Sequence, residues 1–269
     1  MTIIERNFFR LLRAGAFGKQ EQIEPLSAWK WHRLYQLSLM HDVEQTVYKG
    51  IECCKDQFFV QVPEELQEKW AVTMTDADDG EENELLAADH LTNPLLNKRL
   101  QSILDEVDTN TETRRLLLLL LGMARFIMNA GIPVKRTCEL AVYIREHGSK
   151  VDYERIGTWI KRLKLEPMVQ LTGVLLTKIM EMDDDELPFV NLGSDKVTDR
   201  QFREILKLKN SHAEDWYFSQ GKNIFVHTSN PSAMLWHMRR SARYMRYYPS
   251  EMLTNFFASF AHSLSHIEE

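Results

Sequence analysis

Apolar residues recur at helical spacing along most of the chain. Phe8, Leu11 and Leu12, then Trp29, Leu34 and Leu37, then Leu95, Leu96, Leu100, Ile103 and Leu104 each fall on one side of a helical repeat, the mark of helices with one buried face. Breakers and caps frame these runs. Gly15 and Gly18 read as closing the first helix and Ser27 as capping the second. Pro63-Glu64-Glu65 and Asn93-Pro94 start two more, with proline at the first turn and, in the former, acids at the positive end of the helix dipole. Further helices are expected over Thr137 to His147, stopped by Gly148, over Asp152 to Leu165, capped by Asp152, and over Pro167 to Met182. Thr198-Asp199-Arg200-Gln201 matches a capping box ahead of Phe202, Ile205 and Leu206. Asn230-Pro231 opens a helix to about Tyr247, and Pro249 opens a last one striped by Met252, Phe256, Phe260 and Leu264.

Two stretches depart from this repeat. Phe58, Val60 and Val62 alternate before Pro63, which predicts a short strand or an extended connector. Trp216-Tyr217-Phe218 and Ile224-Phe225-Val226 flank a polar turn containing Gly221, which predicts a β-hairpin near residues 216–227. The fold expected is mainly α, a multi-helix bundle with one small hairpin. Thr75 to Glu84 is almost wholly acidic or small and offers nothing to a core. It divides the chain into an N-terminal helical unit (1–72), an acidic linker (73–92) and a C-terminal helical unit (93–269).

Leu116 to Val134 is long enough to cross a bilayer, but Arg125 falls near its middle. A charge there costs about 2.5–3.5 kcal/mol. Asn129, Gly131 and Pro133 weaken the far end, so a buried helix ending near Gly131 is the expected structure, with no membrane span.

Composition narrows the picture. The 269 residues are 44% hydrophobic and 27% charged, ordinary for a globular chain, while 11 Gly and 8 Pro are few and predict long helices. A net charge of −6 argues against a general polyanion binder, because non-specific nucleic-acid affinity comes from excess Lys and Arg. Cys53 and Cys54 are adjacent and Cys138 is the third cysteine, a usage that fits a reducing, cytoplasmic setting. The opening MTIIERNFFRLLRAGAFGK carries charges where a secretory signal would be apolar.

Candidate chemistry is sparse. The chain has no G-x-x-x-x-G-K-[ST] or G-x-G-x-x-G phosphate loop and no G-x-S-x-G elbow, so no cofactor is implied. Asp76, Asp78 and Asp79 have metal-sharing spacing but lie in the acidic linker, and Asp183 to Asp185 read as a surface turn. His262 and His266 are one helical turn apart without the glutamate of a zinc protease. No catalytic residue and no metal ligand is assigned. The densest signal is Trp236 to Tyr248, where Arg239, Arg243 and Arg246 share a helix face beside Trp236, Tyr244 and Tyr247. Such a face suits a phosphate-bearing ligand, an acidic protein partner or RNA. The competing reading pairs these arginines with the acidic linker or a neighbouring helix and packs Tyr and Trp inside.

FFRLLRAGAFG with WKWHRLYQLSLMHDVEQTVYKGI resembles the N-terminal helical region of an uncharacterised nucleotidyltransferase family common in Bacteroidetes. LLLLLLGMARFIMNAGIPVKRTCELAVYIREHG, VDYERIGTWIKRL and the late RYYPSE resemble the helical region after its catalytic core. The resemblance implies a mixed-sheet core between these regions, with a Lys-Gly segment and a Gly-Asp-x-Asp metal motif. Here Lys49-Gly50 lies too early, and Asp76-Ala77-Asp78 lacks the preceding glycine. The chain thus resembles such an enzyme without its catalytic core. The expectation is a non-catalytic helical interaction or regulatory protein with a protein partner. Two alternatives are a nucleotidyltransferase with a site dispersed over Asp76, Asp78 and the late arginines, and RNA or phosphate binding through residues 236–248.

Overall fold

A computed structural model describes residues 1–75, 89–107, 109–129, 134–191 and 245–254, with the backbone alone for 73–75 and 129. Among these, the regular structure is helical, as the repeat of apolar positions predicts. The helices are α1 (Ile3–Phe17), α2 (Ala28–Met40), α3 (Glu44–Cys54), α4 (Glu64–Thr75), α5 (Pro94–Leu104), α6 (Thr111–Asn129), α7 (Val134–His147), α8 (Tyr153–Arg162) and α9 (Glu166–Met180), and residues 249–254 are helical from Pro249 as expected. Short 3-10 turns occupy Gly148–Lys150 and Asp184–Glu186. The expected hairpin at 216–227, the capping box at Thr198 and the acidic residues 76–84 lie outside the described residues.

The chain divides into two compact units, one of residues 1–86, 133–149 and 174–187, the other of 87–132, 150–173 and 188–269. In the first unit, α1 opens on a capping box: Thr2 Oγ1 accepts the Glu5 N–H at 3.3 Å, and the Thr2 N–H donates to Glu5 Oε2 at 2.8 Å. The helix does not stop at Gly15. It runs on to Phe17 and ends at Gly18, whose φ of 64° is the left-handed cap that glycine favours. Gly15 serves packing instead. A Cβ there would lie 1.8 Å from the Thr46 carbonyl oxygen of α3, and one on Gly50 would lie 1.9 Å from the Leu11 carbonyl oxygen. The two backbones touch, and Leu11, Leu12, Val47 and Ile51 are buried about the crossing.

The segment from 19 to 27 has no helix, and side chains bond several of its backbone groups. Asn7, fully buried, donates from Nδ2 to the Glu24 carbonyl at 2.8 Å and accepts the Glu24 N–H at 3.0 Å. Arg13 grips Glu21 with Nε and Nη2 at 2.9 and 3.1 Å and donates from Nη1 to the Ile179 carbonyl at 3.2 Å. Ser27 occupies the N-cap of α2 as expected, but its side chain makes no capping bond. Trp70 of α4 is buried edge-on to Tyr35, 4.9 Å between centroids, and stacked on Tyr48 at 6.4 Å.

In the second unit, Asn93 caps α5 by accepting the Leu95 and Leu96 N–H groups, both at 3.1 Å. The leucine run forms α6, whose Leu116, Leu117, Leu120 and Ile127 are buried while Arg125 is exposed. No helix of the described residues is long and apolar enough to cross a membrane. Asp152 caps α8 through the Arg155 N–H at 3.0 Å, and Trp159 of α8 is buried with Nε1 donating to Glu106 at 3.2 Å.

Among the described residues, helices α1 to α9 run from 10 residues in α8 to 19 in α6. Chain reversals after α2, α8 and α9 are made by Asp42, Lys164 and Glu181 in left-handed conformation, with φ of 53°, 56° and 50°. α8 accordingly ends at Arg162, before the expected Leu165.

Candidate interaction surface

Of the basic aromatic stretch, Arg246 and Tyr247 lie among the described residues; Trp236, Arg239, Arg243 and Tyr244 lie outside them. Arg246 is exposed, with its guanidinium 4.6 Å from the centroid of the buried Tyr247 ring and Nη2 donating to Tyr247 Oη at 2.6 Å. The next residues hold the second unit together. Tyr248 is fully buried and donates its hydroxyl to the Leu163 carbonyl at 3.0 Å; burial pushes its phenol upward. Glu251 is 3% exposed. Its carboxylate accepts the Thr92 N–H at 2.6 Å, the Thr92 hydroxyl at 2.8 Å and the Asn93 N–H at 2.9 Å, at the entry of α5. Most of the described part of Arg-Tyr-Tyr-Pro-Ser-Glu is thus engaged in packing and capping.

The thiols and carboxylates that chemistry might recruit are turned to similar ends. Cys138 is buried, and burial pushes its thiol up to about 12. Cys54 is raised by burial and directs Sγ at the Glu21 carbonyl, 3.5 Å away. Asp183 to Asp185 form the surface turn expected of them. There Glu186 receives Arg145 Nε and Nη2 at 2.6 and 3.2 Å, which holds its carboxyl below the usual range. Among the described residues no group of three or more His, Cys, Asp or Glu could hold a metal ion. Asp76, Asp78, Asp79, His262 and His266 lie outside them.

A different feature stands out in the first unit. The alternation over Phe58, Val60 and Val62 forms no strand; residues 55–59 are turns and 60–63 an irregular connector into α4. Gln57 fastens this loop to the 19–27 segment, donating from Nε2 to the Glu21 carbonyl at 2.6 Å and accepting the Ile23 N–H at 3.0 Å. Val60 N–H closes a turn on the Gln57 carbonyl at 2.9 Å, and Gln61 donates to the Phe58 carbonyl at 3.2 Å. On this anchored loop Phe58 and Phe59 stand out from the surface, 79% and 51% exposed, edge to face with each other at 5.4 Å. Trp29 of α2 is also exposed, at 66%. The pattern of alternation hides this pair. Its one trace in the sequence is Phe59 itself, an aromatic on the position that alternation would give to a polar residue.

Neither family models, nor curated proteins, nor solved structures show a match to this chain.

Proposed function

We propose that this protein is a non-catalytic helical interaction or regulatory protein that presents an aromatic surface to a protein partner. The observation that carries this reading is the exposed Phe58 and Phe59 pair on a loop fastened by Gln57. Aromatic rings held in place before binding lose little conformational freedom when a partner closes over them, which is the economy of a binding hot spot. We propose with it a kinship to the helical flanks of a nucleotidyltransferase family, which would imply an accessory role of the same kind. Three free cysteines, two of them buried, support a reducing, cytoplasmic setting.

Calorimetric titration with Mg²⁺ and each nucleoside triphosphate, paired with a product assay, tests the reading. The expected result is neither binding heat nor turnover. Turnover that disappears on Asp76→Asn or Asp78→Asn would establish the enzyme alternative.

A second reading, a phosphate-bearing ligand or RNA at Arg239, Arg243 and Arg246, draws on the exposed position of Arg246 over the Tyr247 ring. It predicts RNA affinity that falls steeply with salt and is lost in the Arg243→Glu, Arg246→Glu double variant.

A further inference from the structure

We infer that the loop between α3 and α4 is a docking surface for a protein whose apolar pocket has a basic rim, with Phe58 and Phe59 as the inserted anchors. This rests on the interaction reading above and specifies its surface and its partner. Two observations carry it together.

The first is the presentation of the rings. Phe58 and Phe59 are 79% and 51% exposed, yet the backbone beneath them is tied at Gln57 to Glu21 and Ile23 and at Gln61 to the Phe58 carbonyl. Downstream, Gln67 Nε2 donates to the Val62 carbonyl at 2.8 Å, which fixes the connector to the first turns of α4. Neither ring contributes to the buried core, so the core does not account for this pair.

The second is the charge around them. From Glu52 to Lys69 the chain carries the carboxylates of Glu52, Asp56, Glu64, Glu65 and Glu68 against Lys55 and Lys69. Both lysines sit in ion pairs, Lys55 with Glu52 and Lys69 with Glu65. Asp56 before the aromatic pair and Glu64 and Glu68 after it in the chain are exposed. Exposed carboxylates that precede and follow an aromatic tip along the chain favour a basic rim on the receiving pocket and are repelled by an anionic lipid surface.

Fluorescence anisotropy on the full chain tests this with a labelled short amphipathic peptide of lysine and leucine, the same peptide with glutamate for lysine, and vesicles rich in anionic lipid. The lysine peptide is expected to bind at least about tenfold more tightly than the glutamate peptide at low salt. Phe58→Ser is expected to weaken it about tenfold. The Glu64→Lys, Glu68→Lys double variant is expected to invert the preference between peptides. All these positions are exposed, so helicity and melting temperature should match the parent. Equal affinity for both peptides, binding indifferent to Phe58→Ser, or a preference for the vesicles overturns the inference. Binding lost on Trp29→Ser but kept on Phe58→Ser overturns this surface and leaves the interaction reading standing, whereas nucleotide turnover by the same preparation removes both.

Discussion

Gly15 of α1 and Gly50 of α3 meet at a helix crossing so close that a Cβ on Gly15 would lie 2.8 Å from the Gly50 backbone nitrogen. The reverse substitution is as crowded, with a Cβ on Gly50 falling 3.1 Å from the Gly15 nitrogen and 1.9 Å from the Leu11 carbonyl oxygen. Backbone cannot rotate away as a side chain can. Gly50→Ala should therefore separate the helices and cost about 3 kcal/mol. Gly18→Ala meets no atom within 4 Å and should cost only the left-handed strain, about 1 kcal/mol. Urea unfolding of both variants ranks them; a Gly50→Ala protein as stable as Gly18→Ala would contradict the crossing.

Glu251 holds residues 245–254 to the start of α5 through two N–H groups and one hydroxyl. Removing the carboxylate leaves half-buried donors without it, so Glu251→Ala should cost about 2 kcal/mol, and Glu251→Gln less because one oxygen survives. Hydrogen exchange provides a local readout: the Thr92 and Asn93 amides should lose protection in the alanine variant while those of α1 keep theirs.

His41 follows α2 with its ring 5.9 Å from Phe8, and burial lowers its imidazole to about 4. The unfolded chain then binds a proton that the folded chain refuses between the ordinary histidine value and about 4. Stability present above pH 6.5 should fall as pH drops through this window, by about 3 kcal/mol at most. His41→Leu should flatten the decline. Glu44 acts in the opposite sense: burial raises its carboxyl, so its contribution is full in acid and lost as pH rises through the folded value. Glu24, held down to about 2 by Arg6, contributes above the ordinary carboxylate value and loses that contribution as pH falls toward 2. Melting temperatures of parent and His41→Leu between pH 7 and pH 4 should diverge; parallel curves would refute the assignment.

Lys164 reverses the chain after α8 with φ of 56°, a conformation that crowds a side chain against its own backbone. Lys164→Gly should raise stability by about 1 kcal/mol. Glu181, in the same conformation, is paired with Arg13 at 3.1 Å, so Glu181→Gly should gain less. Thermal melts of the two variants side by side distinguish these cases.

Much of the helical plan is legible along the chain because it is set by neighbours in sequence. Asn93 and Asp152 cap the helices they precede, and the leucine run is buried with Arg125 turned out, all of which follow from local hydrogen bonding and the helical repeat. The Thr2 to Glu5 capping box is equally local. The candidate surface was far less legible. The alternation over Phe58, Val60 and Val62 fits a short strand or a connector, and neither says that Gln57 is bonded to Glu21 and Ile23, more than thirty positions away by number, or that both rings face out. A periodicity can say that a residue is apolar; it cannot say that its loop is fastened elsewhere.

The sequence by itself determined the helical class, most helix starts and the buried character of α6, because propensity, caps and amphipathic repeat act over one or two turns. Tertiary structure decided the rest. It made Gly15 a contact with Gly50 where local rules read a terminator, and made Glu251 the partner of Thr92. It also left Phe58 and Phe59 outside the core. Each of these depends on which distant backbone group comes within hydrogen-bond or van der Waals reach, and that distance exists only once the chain has folded.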